Sequence, residues 1–107
     1  MAVEDDVRLR LSLQRAMLTH VTSELRSVSA DVTPEARLIR VRFIFAREPS
    51  DSERDAASCA ATEVIADYPD GWRVDEEYCV SPTGEAMSHL RLLVYHRCED
   101  EWVSPDA

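Results

Sequence analysis

The chain has 107 residues, with 21 acidic against 12 basic side chains and a formal charge of -9. Hydrophobic residues make up 45%, too many for a disordered acidic tail, and the length is that of one globular domain over residues 1–107. Two glycines in all exclude a P-loop and a dinucleotide fingerprint, both of which need several glycines to bring backbone close to phosphate.

Residues 5 to about 20 read as a helix. Val7, Leu11, Met17, Leu18 and Val21 recur at near-helical spacing, with Leu9 and Leu13 widening the stripe, and Glu4, Asp5 and Asp6 suit the positive end of a helix dipole. Residues 25–32 alternate with period two through Val28, Ala30 and Val32, as a half-buried strand does. Thr33-Pro34-Glu35 marks a turn, and residues 37–46 form a second strand with Ile39, Val41, Phe43 and Phe45 on one side and Arg40 and Arg42 on the other. These two strands are expected to pair as a hairpin.

Glu48-Pro49 stops that strand, and Ser50-Asp51-Ser52-Glu53 has the spacing of a capping box. An alanine-rich helix follows to about Ala66, presenting Ala57, Ala60, Ala61, Val64, Ile65 and Tyr68 to the core; Pro69 and Gly71 end it. Residues 72–80 alternate as a third strand, Trp72, Val74, Tyr78 and Val80 in one phase and Arg73, Asp75 and Glu77 in the other. Only one acid of that run, Glu76, takes the inward phase. After a turn at residues 81–85, residues 88–98 read as a fourth strand with Leu90, Leu92 and Val94 inward, and residues 99–107 as a loose acidic tail. The expected class is α+β in the order αββαββ: two hairpins in a four-stranded, mainly antiparallel sheet, with two helices on one face.

Chemistry-bearing residues are sparse. Cys59, Cys79 and Cys98 are odd in number and widely spaced, which suits reduced thiols, and with His20, His89 and His96 they show neither Cys-x-x-Cys nor His-x-x-x-His spacing. No metal and no cofactor is expected. A thiol or metal enzyme built on Cys79, Cys98 and His96 is the weakest of three readings; a Cys79 dyad with His89 or His96 would need the second hairpin to bring them together. The start, Met-Ala-Val-Glu-Asp-Asp, lacks the basic and apolar stretches of a secretory signal, and no run is long enough to span a bilayer, which together point to the cytoplasm.

Charge is unevenly placed. Residues 1–53 hold nine acids against eight arginines, whereas residues 54–107 hold twelve against four. An acidic second half repels nucleic acid and anionic lipid and attracts a basic protein. Trp72, Tyr95 and Trp102 lie near Asp67, Asp70, Asp75, Glu77, Glu99, Asp100 and Glu101, and aromatic anchors in an acidic field are what a surface for a cationic protein needs. Those ten residues are the candidate partner-binding set. Arg26, Arg40, Arg42, Arg73, Arg91 and Arg97 all fall on strands, and several are expected to line the sheet face away from the helices, in cross-strand ion pairs with Asp75 and Glu77.

The stretch from Val28 to Val80 resembles small acidic bacterial immunity proteins of contact-dependent growth inhibition systems (the CdiI type). An apolar strand at Arg42–Phe45, then Glu48-Pro49-Ser50, an acid-rich helix start at Asp51–Asp55 and the ending Glu63–Pro69 carry the resemblance. It implies a non-catalytic inhibitor that binds and neutralises a cognate toxin domain, commonly a nuclease and therefore basic. The alternative is a self-associating or small-ligand-binding regulatory domain, since an open sheet face can make a homodimer.

Overall fold

The computed structural model describes residues 3–99. It comprises α1 (Val3–Ala16), β1 (Leu25–Thr33), β2 (Leu38–Phe45), α2 (Asp51–Ala66), β3 (Arg73–Val80) and β4 (Leu92–His96), with 3-10 turns at Met17–Thr19 and Pro34–Ala36. The class is α+β and the order αββαββ, as the sequence implies.

The sheet is mixed, not mainly antiparallel. Its strand order is β3-β2-β1-β4. β1 and β2 form the expected hairpin, with Ser29 opposite Arg42 and Val32 opposite Ile39. β4 pairs antiparallel with β1, but β3 pairs parallel with β2, placing Asp75 beside Arg40 and Tyr78 beside Phe43. The expected β3–β4 hairpin therefore does not exist, and these strands occupy opposite edges. Alternation assigns a strand's two faces but not its neighbours. The crossover through α2 returns the chain to the end of the sheet where β2 begins, so β3 enters parallel. Residues 81–91 then pass over the other face to reach the far edge, and residues 88–91, expected as strand, belong to this strap.

Local chemistry explains the boundaries. Ser50 caps α2 by accepting from the Glu53 amide, and the Glu53 carboxylate accepts from the Ser50 amide, closing the capping box. Past α2, Gly71 takes φ +95, a conformation natural to glycine, close to the Arg37 guanidinium. β3 begins where the Arg73 amide donates to the Arg37 carbonyl.

The helices lie on one face of the sheet. Val28, Ala30 and Val32 of β1, Ile39, Val41, Phe43 and Phe45 of β2, and Leu92 of β4 pack there with Ala57, Ala60 and Val64 of α2. α1 contributes Leu9, Leu13, Ala16 and Met17 to this core. Its phase differs from the sequence expectation: Val7, Leu11, Leu18 and Val21 face solvent instead. α1 is apolar on two opposite faces, so spacing alone does not say which is inward.

Candidate functional site

Three of the seven candidate acids are held by arginines within the fold. Asp67, at the end of α2, accepts from Ser12 at 2.6 Å and pairs with Arg15, while its carbonyl accepts from Arg8; it ties α1 to α2. Glu77 lies on the sheet face away from the helices and is gripped by Arg40 and Arg42 at 2.8 Å each, the pairing expected for that face. The two guanidiniums, Arg40 foremost, hold the Glu77 carboxyl below the usual carboxylate range. Glu99 pairs with Arg26 and Arg97, and Arg26 in particular lowers its pKa in the same way.

Arg26 is the residue that sequence reasoning placed least well. It is 3% exposed, and besides gripping Glu99 it donates to the carbonyls of Ser81, Pro82 and Glu85. One buried cation thus fastens the start of the strap and the segment after β4 to the middle of the sheet. The register irregularity of β1 between Leu25 and Ser27 falls at this residue. Ser27 and Ser29 continue the anchorage, Ser27 by hydrogen-bonding Met87 and lying 3.1 Å from His89, Ser29 by accepting from the Leu90 amide. Polar positions in an otherwise apolar strand were the available signal that something covers this face.

Asp70 and Asp75 are exposed; Asp75 makes no ion pair among the described residues, but it stands beside Arg40, whose guanidinium is held protonated first by Glu77, with the charge of Asp75 helping. Asp51 and Asp55 are exposed on the outer side of α2, and Glu63 has only His20 nearby, at 3.7 Å. Glu76 accepts from Ser58 of α2 and from the Tyr78 hydroxyl, so it carries its charge into the seam between α2 and β3. Burial, aided by the neighbouring Glu76 carboxylate, pushes the Tyr78 hydroxyl far up and keeps it a donor. A shallow groove lined by Asp55, Ser58, Cys59, Thr62 and Glu63 runs along the same helix. Asp51, Asp55 and Glu63 put negative charge along the outer side of α2, and Glu4, Glu35 and Glu85 are further exposed acids on α1, the turn after β1 and the strap. Asp51, Asp55 and Glu63 lay outside the sequence-derived set because a capped helix start explains such acids without any partner.

Trp72 packs against Tyr68 at the rim of the core, ring centroids 4.9 Å apart and planes tilted by 39°. Tyr95 lies on the other side of the molecule, in a cleft with Gln14, Met17, Leu18, Val21 and Val94. Asp100, Glu101 and Trp102 lie outside the described residues. Asp70, Trp72 and Asp75 lie around the start of β3, Trp72 toward the core and Asp75 on the opposite face, whereas Tyr95 and Glu99 lie at and beyond β4 on the far edge of the sheet.

No dyad forms across a second hairpin. Cys79 is on β3 at one edge and His96 on β4 at the other, and His89 sits on the strap 6.2 Å from His96, ring to ring. Among the described residues no three of His, Cys, Asp and Glu converge as a metal site requires, and no helix is long and apolar enough to cross a membrane.

Residues 6–99, almost the whole chain, match the model of a family described as MafI2 immunity protein. The match supports a bacterial toxin-immunity protein, and it names Maf rather than the contact-dependent systems that the sequence resembles. No curated protein matches the chain.

Proposed function

We infer that this chain, which belongs to the MafI2 immunity protein family, protects its cell by binding a cognate toxin domain and occupying its working surface without chemistry of its own. The toxin is basic and of the nuclease type, and the complex forms in the cytoplasm. The observation that carries this reading is the net charge of -9 together with the exposed acids Asp51 and Asp55 along the outer side of α2. Asp51, Asp55 and Asp70 are exposed beyond ion-pair distance of any arginine among the described residues, while Asp31 and Glu77 on the sheet are paired with arginines. A protein surface that grips phosphate is positively charged, so a fixed negative face both steers toward it and competes for it. Trp72, which follows Asp70 in the chain, supplies the aromatic anchor such interfaces favour. Asp67, Glu77 and Glu99 support the surface by holding α1, the sheet and the strap in place.

The test is a titration of the purified full chain onto the toxin domain encoded beside it. Binding without catalysis requires inhibition that saturates at one immunity protein per toxin, in a complex that survives gel filtration. Inactivation of the toxin by sub-stoichiometric amounts would mean turnover and would overturn the reading, as would the absence of a complex.

A further inference from the structure

We propose that the outer edge of β3 accepts an extended, cationic strand of the toxin domain, which joins the sheet alongside β3. This deepens the proposed function and rests on it. The strand order β3-β2-β1-β4 leaves β3 and β4 at the edges. They differ in how much backbone they offer. β4 has five residues, its pairing with β1 is irregular between Val28 and Ser29, and Arg10 of α1 donates to its Leu93 carbonyl. Shortness, irregularity and a covering side chain all blunt an edge. β3 has eight residues and keeps an unbroken register with β2 from Arg73 to Val80, with no proline among them.

The ladder says which groups are open. The Arg73 amide donates to the Arg37 carbonyl and the Ser81 amide to the Phe45 carbonyl. Along a regular parallel strand the residues alternate in the side to which they turn N–H and C=O. Arg73, Asp75, Glu77 and Cys79 therefore face β2, and Val74, Glu76, Tyr78 and Val80 turn their backbone groups outward. Among the described residues no strand or backbone group pairs with that outer side. Such a row of donors and acceptors is a template for one more strand.

Charge selects the occupant. Asp75, Glu76 and Glu77 are consecutive on this strand. A second copy pairing antiparallel about Glu76 or Glu77 would set that acid against itself, and like charges directly opposite are destabilising. A strand bearing lysine or arginine meets the opposite field. Glu77 is held by Arg40 and Arg42, whereas the printed partners of charge on the helix face are fewer: Glu76 accepts from Ser58 and Tyr78 only, and Arg54, which lies over the Tyr78 ring, is paired with Glu48. Through Ser58 the groove of Asp55, Cys59, Thr62 and Glu63 on α2 adjoins β3, so cationic side chains of an added strand find acid on that face. Val80, 47% exposed, adds an apolar contact at the end of the edge.

The experiment is residue-resolved amide hydrogen exchange by NMR on the full chain, free and in complex with the toxin domain encoded beside it. In the free chain the amides of Asp75, Glu77 and Cys79 are expected to be protected and those of Glu76, Tyr78 and Val80 to exchange fast. In the complex the second set is expected to slow by about a hundredfold or more, so that protection runs all along β3. Glu76→Pro removes an outward amide that the fold does not use and is expected to weaken toxin binding roughly tenfold or more, whereas Glu76→Gln, which keeps the amide, weakens it less. Circular dichroism verifies the fold of both variants, and the exchange pattern of the parent decides alone if the proline variant does not fold. An inhibitory complex whose outer amides exchange as in the free chain overturns this inference and leaves the proposed function standing, as does a folded Glu76→Pro that binds like the parent. Outer amides protected in the free chain at high concentration would assign the edge to a second copy and overturn it too. The absence of any complex overturns the proposed function and this inference together.

Discussion

Arg26 is a cation held in the protein interior by Glu99 and three backbone carbonyls. Burying such a group is costly, so it stabilises only because every partner is present, and removing it leaves Glu99 and the strap carbonyls without their donor. Arg26→Met is expected to lower the unfolding free energy by about 3–5 kcal/mol, the usual cost of breaking a buried pair, as measured by urea denaturation. A loss below about 1 kcal/mol would contradict the role given to this residue. Titration adds a second prediction at this scale. His89 is lowered from 6.5, first by its burial and then by His96, Arg42 and Arg26, so the folded chain prefers its neutral form. Its contribution is present above pH 6.5 and declines as the pH falls below that value. Glu77 and Glu99 are lowered from 4.5 by their arginines, so their contribution is present above pH 4.5 and is lost as the pH falls through their depressed values. Stability should therefore fall on acidification in two stages, and His89→Asn should remove the first stage alone. An unchanged slope just below pH 6.5 in that variant would contradict the assignment.

At the scale of elements, the readable parts were those fixed by local chemistry. The Ser50–Glu53 capping box and the alternation of Ile39, Val41, Phe43 and Phe45 follow from short-range rules, and α2 and β2 form as they dictate. The cap gives a direct check. Ser50→Ala should cost about 1 kcal/mol in thermal or urea unfolding and Ser50→Gly only a few tenths, since glycine tolerates the cap geometry; equal losses would mean the side-chain bond is not what matters. The inward face of α1 was not readable, because Leu9 and Leu13 on one side and Leu11 and Leu18 on the other give two apolar lines, and tertiary packing chooses between them. Nor was the neighbour of β3. Its alternation suits an antiparallel or a parallel partner equally, and only the crossover through α2 decides.

Across the whole molecule, the excess acid of the second half was legible in composition, but its location was not. Arg40, Arg42, Arg26 and Arg97 come from distant parts of the chain to hold Glu77 and Glu99, which no local pattern reveals. Asp70 follows α2 and Asp75 stands beside Arg40 on β3, while Asp51 and Asp55 lie exposed on the outer side of α2. The account's central claim is that this side captures a basic toxin by electrostatic steering. The association rate constant with the cognate toxin domain, measured by stopped flow across ionic strength, tests it most directly. The rate should fall steeply as salt rises, and Asp51→Lys with Asp55→Lys should slow low-salt association by roughly tenfold or more while flattening that dependence. A rate indifferent to salt and to both charge reversals would contradict it.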